Sequence, residues 1–118
     1  KHTDQIRAAR EARDASIEAM VPGGTWAQVG AAAEQVHTDA GFQPITNLCG
    51  HQLERWNLHA GVSVPSFDCG ESNHSFKGGP EVDAFYAIEP FNTRLEKAAR
   101  SKTYPLPRHP TSIESQVT

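Results

Sequence analysis

No stretch of the 118 residues is apolar for long enough to cross a bilayer, and no run of Lys and Arg is dense enough to follow a phosphate backbone. Neither a membrane nor a nucleic acid is therefore expected as a partner, and the net charge of -3 adds no general attraction to anionic surfaces. Cysteine is scarce as well. Cys49 and Cys69 are too few and too far apart for a disulfide scaffold or a four-thiolate zinc site, so free thiols in a reducing cytoplasm are the expectation. The first residues, Lys1-His2-Thr3-Asp4, offer neither an initiating Met nor the apolar core of a signal peptide, and the chain reads as soluble and as cut from something longer. What is present, 37% hydrophobic and 21% charged residues, suffices for one small domain with a modest core.

The first forty residues predict two helices. From Thr3 or Asp4 the chain is rich in Ala, Arg and Glu, which lose little rotamer freedom in a helix, with Ile6, Ala9, Arg13, Ile17 and Met20 at helical spacing. Pro22-Gly23-Gly24 cannot continue that helix. Thr25 then offers a capping hydroxyl and Gln28 its reciprocal partner, while Trp26, Val29, Ala33, Val36 and Ala40 follow as one apolar stripe for a sheet face. Gly41 marks the stop. His37 falls beside the stripe and reads as a solvated surface histidine, not as a ligand.

From Trp56 the period changes to two. Trp56, Leu58, Ala60, Val62 and Val64 would face one way, toward packing, and Arg55, Asn57, His59, Gly61 and Ser63 the other, toward a cleft. A second strand is expected over Ala84-Phe85-Tyr86-Ala87-Ile88-Glu89, with Phe85, Ala87 and Glu89 on one side and Tyr86 and Ile88 on the other. Between them, residues 67–80 read as a polar loop in which His74 is solvated.

A carboxylate ending an otherwise apolar strand asks for a partner, because an unpaired buried charge is costly. On the residues alone Glu89 could bind an ion, reach solvent or pair with Arg94, and His51 could be a ligand or a loop histidine after Gly50. Two potential ligands do not define a site that generally takes three or four.

The block Asn47-Leu48-Cys49-Gly50-His51, the triplet His59-Ala60-Gly61, Pro65, and the segment Ile88-Glu89-Pro90-Phe91 together resemble the middle of a type II methionine aminopeptidase, the archaeal and eukaryotic branch of the M24 pita-bread metallopeptidases. The resemblance covers roughly residues 3 to 93. It implies an α+β chain with a partial pita-bread (creatinase/aminopeptidase) fold, two helices packed on an antiparallel sheet. It also implies that His51 and Glu89 are metal ligands, and that His59 is a catalytic, substrate-binding residue that hydrogen-bonds the peptide without touching the metal. The His-Ala-Gly triplet separates this branch from prolidase-like and type I relatives, which usually show His-Glu-Gly or His-Glu-Glu there. The complete centre would hold two divalent ions, Co, Mn, Fe or Zn, and remove Met from a peptide or nascent-protein N-terminus in the cytoplasm. The methionine pocket is expected to be apolar, with Phe42, Ile45 and His51 along part of it.

The same resemblance marks what is missing. The family centre also uses two aspartates on strands before the first of these helices and a late glutamate, and none of Asp4, Asp14, Asp39, Asp68 or Asp83 stands in a matching context. The expectation is therefore a fragment, inactive in isolation, whose incomplete fold self-associates. A partial metallopeptidase domain is expected over residues 1–93. Residues 94–118, with the helix-forming Arg94 to Arg100 and the Pro-rich Tyr104 to Pro110, fall outside the family pattern and read as a short helix and a disordered C-terminal tail. Two other functions stay open: a non-catalytic pita-bread binding module of the histone-chaperone type, and a prolidase-like exopeptidase.

Overall fold

The computed structural model describes residues 1–94. Helix α1 (Thr3–Ala19) and helix α2 (Trp26–Asp39) are followed by five short strands: β1 (Phe42–Pro44), β2 (Gly50–Leu53), β3 (Ser63–Val64), β4 (Phe85–Ala87) and β5 (Asn92–Arg94). The architecture is α+β, as expected, but the strands make two antiparallel sheets where one was anticipated: β1 with β5, and β3-β2-β4 with β2 in the middle. The sheets part where proline removes a ladder donor, at Pro44 ending β1 and at Pro90 between β4 and β5. The short helix anticipated from 94 to 100 and the Pro-rich tail lie outside the described residues, apart from Arg94, which closes β5.

Helix α2 starts as its sequence predicts. The Thr25 hydroxyl accepts from the Gln28 N–H at 3.2 Å while the Gln28 side chain accepts from the Thr25 N–H at 3.0 Å, a reciprocal cap. Trp26, Val29 and Ala33 are buried, and with Cys49, Val64, Phe67 and Phe76 the first two form the core between α2 and the three-stranded sheet. Trp26 also meets Tyr86 of β4 edge-on at 4.9 Å, and Phe67 meets Phe76 edge-on at 5.7 Å. Each fully buried aromatic or branched side chain here contributes roughly 1.5–3 kcal/mol.

Three expectations are corrected. On α1, Ile6 and Ile17 are each 51% exposed, and the inward residues are Ala8, Ala12 and Ser16. Helix α1 packs chiefly along α2, and small side chains are what allow two helix backbones to approach closely, so the larger apolar residues are left outside. On α2, His37 is not solvated but completely buried. It lies one turn beyond Ala33, so it continues the buried stripe, while Val36 is only half-buried.

The third correction concerns the run from Trp56 to Val64, of which only Ser63–Val64 is strand. Glu54 and Asn57 exchange backbone hydrogen bonds at 2.9 Å, which closes a turn with Trp56 at φ +64° and 92% exposed, and Leu58 is exposed beyond it. A chain reversal inside the alternating run cancels the alternation for its first half; Val62 and Val64 still point to the core. In β4 the expected alternation holds. Tyr86 and Ile88 pack against the core, and Phe85 is exposed on the opposite side.

Candidate metal centre

Strand β2 carries His51 into the middle of the sheet, where it stands opposite Ser63 of β3 and Ala87 of β4. The preceding residue must be glycine for this to happen. A Cβ on Gly50 would lie 2.1 Å from the Ala87 carbonyl oxygen, far inside contact distance, so any side chain there would push β2 off β4 and His51 with it. Two residues beyond the end of β4, Glu89 follows the same alternation and turns toward β2. The His51 Nε2 and a Glu89 carboxylate oxygen are 3.1 Å apart; the imidazole is nearly buried and the carboxylate about two-fifths exposed.

The return arm of the β2–β3 hairpin brings the third residue. Ala60 donates its N–H to the Gln52 carbonyl at 3.0 Å, and Gln52 donates to the Val62 carbonyl at 2.8 Å, so three residues oppose one and Gly61, at φ +94°, bulges between the two bonds. The bulge turns His59 back over β2. Its ring lies edge-on to that of His51 with centroids 4.5 Å apart, and it remains open to solvent. The residues singled out by sequence, His51, His59 and Glu89, are thus gathered at one end of one sheet.

The donor chemistry suits a divalent cation. The His51 Nδ1 lies 3.2 Å from the Gln52 carbonyl, which can only accept, so that nitrogen carries a proton. Nε2 is then the nitrogen that faces the Glu89 carboxylate, where either a proton or a cation can be shared between the two. A carbonyl fixing the far nitrogen is the usual way a ligand imidazole is oriented. Two ligand atoms each about 2.1 Å from one ion, at angles between tetrahedral and right, are roughly 3.0–3.4 Å apart, and the observed 3.1 Å falls within that span. Two donors are nevertheless only part of a coordination shell. Among the described residues no group of three or more His, Cys, Asp or Glu is arranged to hold an ion.

Cys49, two residues before His51, is not gathered with His51 and Glu89 into a three-ligand group. It is buried, and desolvation, with a smaller contribution from the Glu89 charge and against a hydrogen bond with Ser63, pushes its thiol up to about 11. Cys69 is likewise pushed up to about 11, mainly by burial, and both are free thiols as their number suggested. Phe42, anticipated beside His51 in a pocket, instead lines a cleft of about 380 Å³ with Lys1, His2, Asp4, Gln5, Gly41 and Arg94. A feature without any sequence signal is Ser66, whose hydroxyl donates to the Glu89 backbone carbonyl at 3.2 Å.

Residues 1–103 match the family model for metallopeptidase family M24. A methionine aminopeptidase of Pyrococcus abyssi is 41% identical over 90 residues, which cover 76% of this chain and 29% of that protein. Those of Thermococcus kodakarensis and Archaeoglobus fulgidus are 42% and 36% identical over 88 and 92 residues, 75% and 78% of this chain and 28% and 30% of theirs. The chain therefore spans under a third of the length of these three relatives.

Proposed function

The chain belongs to metallopeptidase family M24, and from that membership we propose that it carries one part of the metal centre of a methionine aminopeptidase acting on Met-initiated peptides or nascent proteins in the cytoplasm. On this reading the two helices and two small sheets are a portion of the pita-bread fold, and the products are free methionine and a peptide shortened by one residue. The observation that carries the proposal is the meeting of the His51 imidazole and Glu89 carboxylate at 3.1 Å with the His59 ring edge-on to that of His51, at the three positions the family motif assigns.

When bound, divalent ions would supply Lewis acidity and an activated water for peptide hydrolysis, two ions in a complete centre. His51 would give its Nε2 lone pair and Glu89 its carboxylate, borderline and hard donors that together suit Mn, Fe, Co or Zn. His59, outside the pair and open to solvent, would hydrogen-bond the substrate backbone and hold the scissile bond in register with them. Glycine at 50 lets β2 and β4 approach, and glycine at 61 allows the positive φ that turns His59 back over β2.

Titration calorimetry with Mn²⁺ tests the assignment. The chain is expected to bind the ion, to lose it on His51→Ala or Glu89→Gln, and to keep it on His59→Ala. Binding that survives both ligand substitutions, or vanishes with His59, would overturn the division of roles.

A further inference from the structure

Glu89 stands outside the sheet ladder. Strand β4 ends at Ala87, β5 begins at Asn92, and Pro90 between them has no N–H to give. A carboxylate needed at a fixed distance from His51 therefore hangs from an irregular segment, and the contacts on its backbone decide where it points. Two such contacts hold it. On one side Gly50 leaves only enough room for the Ala87 carbonyl and the Glu89 N–H to pass, since a Cβ there would be 3.3 Å from the Glu89 nitrogen. On the other side Ser66, just 3% exposed, donates its hydroxyl to the Glu89 carbonyl at 3.2 Å. Ser66 follows Pro65 directly after β3, both buried, so its Cα is held by the same sheet that holds His51.

We propose that Ser66 is a positioning residue of the metal centre: its buried hydroxyl ties the Glu89 backbone to the end of β3 and so sets the carboxylate at ligand distance from His51. The inference rests on the reading of His51 and Glu89 as ion ligands. A hydroxyl in the core with its proton on a main-chain carbonyl has no solvent substitute, so removing it frees that carbonyl to reorient and the segment to shift. Shifts of this kind in residues behind a ligand typically weaken ion binding by 10–100-fold. Ser66 touches neither ion nor substrate. Its effect passes through the position of Glu89.

The test uses Co²⁺ titrated into the 118-residue chain and into its Ser66→Ala, Ser66→Thr and Glu89→Gln variants, followed by calorimetry and by the visible absorption of the bound ion. Thermal midpoints of all four are recorded in parallel. The expected result is a roughly tenfold or greater loss of Co²⁺ affinity in Ser66→Ala with an altered absorption band, and recovery toward the parent in Ser66→Thr, which keeps the hydroxyl. Ser66→Ala that lowers the thermal midpoint but binds Co²⁺ within twofold of the parent, while Glu89→Gln does not, would overturn the positioning role and leave the proposed centre intact. A parent chain that binds no Co²⁺, or binds it equally with Glu89→Gln, would overturn the reading of the centre and this inference together.

Discussion

His37 is wholly enclosed, and neither of its ring nitrogens has a hydrogen-bond partner among the described residues. Burial alone pulls its pKa down from 6.5 to about 4. The folded chain therefore binds fewer protons at this site than the unfolded chain does, so its contribution is unchanged above the unfolded value and stability is lost as pH falls from 6.5 toward 4. The loss levels off below that, and at full extent corresponds to about 3 kcal/mol. His37→Leu removes two orphaned buried nitrogens and the titrating group with them. Urea unfolding of parent and variant at pH 7.5 and pH 4.5 should show the variant more stable at both, with the larger margin at pH 4.5. An equal margin at the two pH values would mean that His37 is hydrated in solution. The residue was misjudged from sequence because a stripe drawn through Val36 and Ala40 passes beside it, whereas the buried face runs Trp26, Val29, Ala33, His37. No periodicity argument expects an unpartnered imidazole there, since polar groups without partners are rarely buried.

Elements differ in how far local sequence determines them. The cap of α2 was legible because Thr25 and Gln28 satisfy each other within three residues. The side assignment in β4 was legible because the strand's neighbours impose the same alternation its residues show. The β2–β3 hairpin was not, because Arg55-Trp56 carries none of the Gly, Asn or Asp that usually announce a tight turn, and a bulky residue at φ +64° is disfavoured on its own. The long-range pairing of β2 with β3 imposes the turn, and the Arg55 guanidinium over the indole at 5.6 Å returns part of the cost. The two tryptophans make this hairpin measurable, since Trp26 is buried in the core and Trp56 is 92% exposed. In a Trp26→Phe variant the remaining fluorescence should be red-shifted and quenched by iodide nearly as well as free tryptophan, whereas in Trp56→Phe it should be blue-shifted and protected. Protection of Trp56 from iodide would restore the packed strand and contradict the turn. The site shares this division: His51, His59 and Glu89 were legible as motif residues, but the Gly61 bulge and the Ser66 bond that place them depend on segments distant in sequence.

At the scale of the molecule, one sheet end concentrates the recognisable chemistry, and the described residues close only part of a coordination shell around it. Weak affinity follows from the ligand count, because each missing donor must be replaced by water and a two-donor site cannot fix a second ion. The Pyrococcus abyssi relative is more than three times as long as the aligned stretch, which covers 29% of it. The outer faces point the same way: Ile6, Ile17, Leu58, Val82 and Phe85 are all exposed large apolar residues. Hydrolysis requires the ion pair, the substrate contact and the exclusion of water at once, and losing any one of these removes most of the acceleration rather than a proportionate share. The 118-residue chain alone, supplied with Co²⁺ or Mn²⁺, is therefore expected to release methionine from Met-Ala-Ser no faster than the metal salt does, even at concentrations where His51 and Glu89 bind the ion. Turnover clearly above the salt control, lost in Glu89→Gln, would mean that two chains or further residues of this one complete the shell. The centre would then have to be redrawn around those added donors.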